Sequence, residues 1–405
     1  MFSHLERPPI PPPGWRQVWA DFGPRYAANG FVGWMFAATA PVAVILSVGT
    51  QGGLREAELA SWIFGVFFVN GLITLLFCWL YRQPLAFFWT IPGTVLVGPA
   101  LGHLSFAEVI GAYYATGALM VVLGATGWVR RAMQAVPMPI VMGMVAGVFL
   151  RFGLDLVRAL HADFGIAGPM VAAWLGLSLA PALGRRLPPL IGALMVGVLA
   201  IAVLGRVDYA VLGAVEFARP VLHPPAWSAA AMVELVVPLA ITVLVVQNGQ
   251  GFAVLKAAGH EPPVDAITVA CGAGALASAA VGAVSTCLTG PTNAILTSSG
   301  ERARQYTAGL FTGLLAVIFG LMAPAFTRLA LAAPKAFIMT LAGLAMLRVL
   351  QTAFVASFKD RFTLGALVAF LVTVADLGLF NIGAAFWGLV AGFAVSWALE
   401  RGDFR

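Results

Sequence analysis

The amino-acid sequence predicts an all-α polytopic membrane protein with about fourteen transmembrane segments. It places them in two inverted seven-helix repeats, with segments 3 and 10 broken. Three observations carry that expectation. The first is composition: of 405 residues, 60% are apolar and only 10% are charged, where a soluble globular domain carries about 25% charged residues. The second is block length. The apolar residues fall in runs of roughly 17 to 25, enough to cross about 30 Å of hydrocarbon as helix, not in the alternating segments of about ten that mark a membrane β-barrel. The third is an internal repeat. Pro92 and Pro291, each beside a glycine in a short apolar stretch, stand 199 residues apart. Pro41 and Pro238, Pro137 and Pro334, and Leu150-Arg151 and Leu347-Arg348 all recur at 197.

The elements follow in order. Residues 1–29 form an N-terminal tail rich in proline and charge, without the short apolar core of a cleavable signal peptide. The first repeat, 30–205, has spans near 30–50, 60–81, 86–101, 106–128, 137–157, 166–183 and 188–205. A more polar linker, 206–229, carries Arg206, Asp208, Glu216, Arg219 and His223. The second repeat, 230–400, has spans near 232–255, 264–281, 285–300, 306–329, 334–355, 362–379 and 382–400. Seven is odd, so the second copy enters the membrane the opposite way up.

Charge sets the orientation. With the tail inside, the inner loops and ends hold Arg82, Arg130, Arg131, Arg185, Arg186, Lys256, Arg302, Arg304, Lys359, Arg361, Arg401 and Arg405 beside Arg7, Arg16 and Arg25. The outer side holds Arg55, Arg158, Arg206, Arg219, Arg328 and Lys335. Positive charge stays inside, so both termini are expected in the cytoplasm. The net charge of +6 is thereby accounted for by the lipid bilayer and gives no nucleic-acid signal. Cys78, Cys271 and Cys287 are scattered through apolar spans, with neither a disulfide framework nor metal spacing. His4, His103, His161, His223 and His260 fall in tails or loops and are expected to form no metal or proton-relay constellation.

The breaks carry the chemistry. They read Phe87-Phe-Trp-Thr-Ile-Pro-Gly-Thr-Val-Leu96 and Ser285-Thr-Cys-Leu-Thr-Gly-Pro-Thr-Asn-Ala-Ile295. A half-helix that starts inside the membrane presents free backbone N–H groups and a positive dipole end, an anion site without a buried charged side chain. Pro92 and Pro291 suit a first helical turn. Gly93 and Gly290 would let a ligand approach. Thr90, Thr94, Thr289, Thr292 and Asn293 add neutral donors. Simple kinking of packed helices is the bland alternative. Gln247, Asn248 and Gln250 lie in the apolar run of the eighth span and need partners at that depth, from substrate or from neighbouring helices. Phe31, Trp34, Phe36, Phe87, Phe88, Trp89 and Phe252 are candidate aromatic walls. Arg151 and Asp155, four apart on one helix face, are expected to pair. Glu234, Glu108 and Asp265 sit near span ends, where solvation is the simpler reading.

Breaks at the third position of seven-helix repeats resemble the architecture of nucleobase, bicarbonate and sulfate transporters. The run Pro139-Ile-Val-Met-Gly-Met144, the element Gln247-Asn-Gly-Gln-Gly251 and the element Leu288-Thr-Gly-Pro-Thr-Asn-Ala294 resemble the BenE family of bacterial benzoate transporters over essentially the whole chain. The resemblance implies a core domain from 30–128 and 232–329 and a gate domain from 137–205 and 334–400. It implies uptake of benzoate or a similar aromatic carboxylate with protons across the bacterial cytoplasmic membrane, and a homodimer paired through the gate. Where nucleobase transporters offer a glutamate in the eighth span, this chain has neutral Gln247 or Asn248, suited to an anion. Arg151 and its repeat mate Arg348 would fall in the gate, where they could draw the carboxylate or lock a gate. The alternative is a same-fold transporter or channel for another small anion or a nucleobase. Paired acidic, Ser/His, HExxH, Walker A and dinucleotide motifs are missing from the sequence, so neither an enzyme nor a cofactor is expected.

Overall fold

A computed structural model of the protein describes residues 5–135, 137–180, 187–206, 216–377, 379 and 382–404. His4, Arg185, Arg186, Asp208 and Arg405, used above, lie outside the described residues. The chain is mostly helical, and each expected span meets a helical element. Six described helices are long and apolar enough to cross a membrane: Pro24–Gln51, Glu56–Tyr81, Phe106–Thr126, Met138–Ala162, Ala229–Ala257 and Lys335–Phe358. A further pair, Arg302–Leu321 and Ala323–Leu331, is bent by 70° at the break. The other apolar helices have 10–17 residues. At 1.5 Å per residue, the 16 residues of Val264–Ala279 span about 24 Å, short of the hydrocarbon thickness. By length and apolarity, six of the described helices, or seven with the bent pair, each suffice to cross a bilayer unaided. Hydropathy alone cannot see where a helix breaks inside an apolar run.

Packing divides the chain into two compact units. One comprises Met1–Ala37, Ala60–Val136 and Phe217–Ala323. Within it, helix Asn70–Tyr81 packs on Tyr306–Leu321, and Phe106–Thr126 packs on Val264–Ala279. The second element of each repeat thus meets the fourth of the other, as an inverted repeat requires. Small residues permit the approach: a Cβ on Gly71 would stand 2.9 Å from Gly313 O.

The other unit comprises Ala38–Leu59, Pro137–Glu216 and Pro324–Arg405. Its centre is the pair Met138–Ala162 and Lys335–Phe358, the repeat-related helices that begin after Pro137 and Pro334. Helix Ala40–Gln51, the second part of the first long span, packs against Lys335–Phe358 in this unit. Helix Thr363–Ala375 packs on Ala384–Leu399, and the Glu400 carboxylate caps it, accepting the Leu364 and Gly365 N–H groups at 2.8 and 3.0 Å.

Candidate functional site

Short strands make the breaks at Pro92 and Pro291. Phe87–Trp89 (β1) and Thr286–Leu288 (β2) pair antiparallel in the register Phe87↔Leu288, Phe88↔Cys287, Trp89↔Thr286. Phe88 and Cys287 are 199 apart, the spacing of the two prolines, so a pseudo-twofold axis runs through this residue pair. The flanking bonds obey it. Thr90 N–H donates to Ser285 O and Thr289 N–H donates to Ala86 O, each at 3.1 Å. The inverted repeat is thus visible in single hydrogen bonds.

Each strand leads through a threonine into a half-helix, Ile91–Ala100 or Gly290–Thr297. The strands run antiparallel, so the half-helices start at opposite ends of the ribbon, with amino ends directed toward each other across about 10 Å. Proline occupies the second helical position of both, where its missing N–H leaves no bond unmade. The outer edge of each strand is held by a side chain. Thr74 Oγ1 accepts the Phe87 N–H at 2.8 Å, and Asn248 Oδ1 accepts the Leu288 N–H at 2.8 Å.

The first amino end is closed. Thr90 Oγ1 accepts the Gly93 N–H (3.1 Å) and donates to Thr242 Oγ1 (3.1 Å). Thr94 Oγ1 donates back to Thr90 O at 2.9 Å. Gly93 is tightly packed: a Cβ there would stand 2.4 Å from Thr90 Cγ2 and 2.9 Å from Leu239 Cδ2. Its small size serves the packing of the eighth segment.

The second amino end is open. Thr289 gives no side-chain cap, and its hydroxyl turns to Ala86 O at 3.3 Å. Among the described residues the Gly290 and Thr292 N–H groups meet no acceptor, and Thr292 Oγ1 is buried without a partner. Open here means uncapped: Gln250 covers Gly290, where a Cβ would come within 2.5 Å of its Cγ and 2.6 Å of its Oε1. Gln247 is 6% exposed, and its amide has no hydrogen-bond partner among the described residues. It lies in the π-helical stretch Thr242–Asn248, a wide-turn geometry frequent at functional sites.

Two expected donors are engaged with the frame. Asn293 Oδ1 accepts the Ala86 N–H at 2.9 Å, while its Nδ2 donates to Ala86 O (3.2 Å) and Thr289 O (2.7 Å). Asn248 holds β2 and its Nδ2 reaches Cys271 Sγ at 3.6 Å. Both amides are fully committed to backbone and thiol. Around the ribbon, rings adjoin in sequence: Trp34 and Phe319 (5.8 Å between centroids), Phe319 and Phe67 (4.4 Å), then Phe67 and Trp89 (5.2 Å). The indole N–H groups of Trp34 and Trp89, like Ser285 Oγ, are buried without an acceptor among the described residues. Phe87 and Phe252 sit in the hydrophobic core. Phe67 and Phe319 escaped the sequence reading, and nothing in their flanking residues separates them from other apolar-span phenylalanines.

Arg151, Asp155 and Arg348 lie in the other unit. Asp155 pairs with Arg158 at 3.0 Å, not with Arg151. The i,i+3 and i,i+4 partners compete on one helix face, and the nearer one wins. Arg151 is exposed, and Arg348, also exposed, donates to Gln351 at 3.1 Å.

Apolar helices in inverted repeat, and two half-helices meeting across a strand pair with unfilled donors, define a membrane transporter rather than an enzyme. The chain belongs to the BenE family, described as benzoate membrane transport protein, whose pattern matches residues 20–398. It is 32% identical over 368 residues to the inner membrane protein YdcO of Escherichia coli, covering 90% of this chain and 93% of that protein. It is 26% identical over 377 residues to the benzoate membrane transport protein of Acinetobacter baylyi, covering 92% and 94%. Its fold is similar to that of the transmembrane domain of the cyanobacterial bicarbonate transporter BicA (TM-score 0.59, 16% identity, 95% of this chain and 99% of that one). It is similar also to the murine anion transporter Slc26a9 (TM-score 0.62, 13% identity, 92% and 68%).

Proposed function

We propose that this protein imports benzoate or a similar aromatic carboxylate together with protons, and that the carboxylate binds at the amino end of Gly290–Thr297. The observation that carries the reading is the uncapped terminus, where the Gly290 and Thr292 N–H groups and Thr292 Oγ1 have no acceptor among the described residues. A buried donor left unmatched costs about 1–3 kcal/mol, and a carboxylate supplies acceptors for several donors while meeting the positive dipole end. Gln247 adds an amide, with no side-chain carboxylate at that level of the eighth segment to repel the anion. Trp34, Phe67 and Trp89 offer faces for an aromatic ring. In this reading the unit carrying the half-helices is the core and the other is the gate. Both termini are cytoplasmic, and two copies pair through the gate, which mass measurement in lipid tests.

Thermal-shift measurements on the purified protein test the substrate. Benzoate should stabilise it, while benzamide, uracil, bicarbonate and sulfate should not. Stabilisation by uracil and not by benzoate would overturn the assignment.

A further inference from the structure

Glu234 and His103 read from the sequence as a span-end carboxylate and a loop imidazole with nothing to join them. The structure brings them together. Glu234, 5% exposed, lies in the π-helical turn Met232–Val236 at the start of the eighth segment, with its Oε2 2.8 Å from His103 Nε2. The His103 side chain keeps 29% of its surface accessible. It stands just past the carboxyl end of the first half-helix, its backbone N–H on Ala100 O at 3.1 Å.

We propose that His103 and Glu234 form the proton-binding pair that couples proton uptake to carboxylate transport, which rests on the proton-coupled reading above. The step is a simple protonation. Water outside delivers H⁺ to the neutral imidazole, and a lone buried carboxylate becomes an imidazolium–carboxylate pair with no net charge. Imidazole is the side chain that serves as both proton acceptor and cation, and a buried charge is costly unless it is paired.

Three features link the pair to the anion site. First, the dipole of the first half-helix favours a cation at its carboxyl end, where His103 sits, and the capped amino end of that helix faces the uncapped one across the strand pair. The ten residues of Ile91–Ala100 separate those ends by about 15 Å. Second, the eighth segment runs from Glu234 past Leu239, which packs on Gly93, and Thr242, which bonds Thr90, to Gln247. A charge change at Glu234 therefore acts on an element that touches the closed terminus and carries the free amide. Third, the neighbouring titratable groups leave the pair distinct. Helix Phe106–Thr126, packed on the Glu234 turn, contributes Glu108, which interacts electrostatically with His103 but is a half-buried carboxylate engaged in a capping box with Ser105. The same helix contributes the phenols of Tyr113 and Tyr114. His223 is turned to Phe106, 5.1 Å between ring centroids, and its backbone N–H donates to Ala280 O. The half-helix and Val237–Ile241 contribute no titratable side chain.

The test uses the full-length protein in proteoliposomes with radiolabelled benzoate, after subtracting uptake by protein-free vesicles. Two rates are read: uptake driven by an inward proton gradient, and benzoate–benzoate exchange at equal pH. His103→Gln and Glu234→Gln should lose the gradient stimulation, keep exchange near the wild-type rate and flatten its pH profile. Gradient-driven uptake and a pH profile like wild type in both variants would overturn the pair. A wild-type protein that shows exchange but no gradient stimulation would instead overturn the proton-coupled reading itself. Where a variant melts prematurely in detergent, His103→Asn and Glu234→Asp take its place. The first should show the same loss of stimulation with intact exchange, and the charge-conserving second should stay coupled. The reverse pattern sinks the proposal.

Discussion

The two half-helices share one frame and differ at the end that matters. Both start from a paired strand, both carry proline at the second position, and their flanking hydrogen bonds exchange under the pseudo-twofold axis. Yet Thr90 caps the first, and Thr289 leaves the second uncapped. Side-chain volume is exchanged as well. Gly93 and Thr292 are repeat mates, 199 apart. Leu239 fills the space at Gly93, whereas Gly33 makes room for Thr292, its Cβ position 3.3 Å from Thr292 Cγ2. A duplicated scaffold can thus keep its backbone symmetry while one half caps its helix terminus and the other leaves it uncapped.

The largest expected effect tests the frame. Asn293→Ala leaves the buried Ala86 N–H without its acceptor and removes two further bonds, to Ala86 O and Thr289 O, which keep backbone donors; it should cost about 2–4 kcal/mol of stability, from one unsatisfied buried group and the lost bonds. A melting temperature in detergent equal to wild type, with benzoate affinity lost, would return Asn293 to the binding site. Next comes the open terminus. Thr292→Val keeps the shape against Gly33 and removes only the unpartnered hydroxyl. Benzoate affinity by calorimetry should fall by about 1–3 kcal/mol, the worth of a hydrogen bond to a charged group, while the melting temperature holds or rises. An unchanged affinity breaks the comparison at its centre. At the closed terminus, Thr90→Ala should cost about 1 kcal/mol of stability, the usual value of a lost cap, with little change in affinity. A larger loss of affinity than in Thr292→Val would mean that the roles of the two ends are reversed.

The frame was legible because proline and glycine are scarce signals at fixed offsets, and a 199-residue recurrence survives the divergence of everything between. The strand pair was not. Three residues such as Phe87–Trp89 are too few to show a period, and their pairing is set across the repeat boundary. The polarity of Asn248 and Asn293 was legible as a demand for partners, but those partners are backbone groups of residues 40 and 207 positions away, which no local pattern encodes. Asp155 shows the same limit at short range, since Arg151 and Arg158 both satisfy helical spacing and rotamer geometry decides between them. The unmatched Thr292 hydroxyl could be counted only once every neighbour was placed.

The smallest effect concerns how the open half-helix is anchored at its other end. Gln305 Nε2 donates to Thr297 O, the last residue of that helix, at 2.6 Å, and Gln305 Oε1 lies 2.7 Å from His260 Nε2. His260 is buried in the connection between Ala257 and Val264. Burial pushes its imidazole below the ordinary histidine value and the nearby Arg302 adds to this, while the bond to Gln305 opposes it. The folded protein therefore holds fewer protons at this site than the unfolded chain. Its contribution to stability is complete above the unfolded value, about 6.5, and is lost as pH falls toward the depressed folded value. Melting temperatures across that interval should decline toward acid in the wild type, and His260→Gln, which cannot titrate, should reduce the slope. Because the anchor sits behind the open terminus, acid should also weaken benzoate binding in wild type more than in His260→Gln. An identical pH slope in the two proteins would show that the second half-helix is held independently of this imidazole.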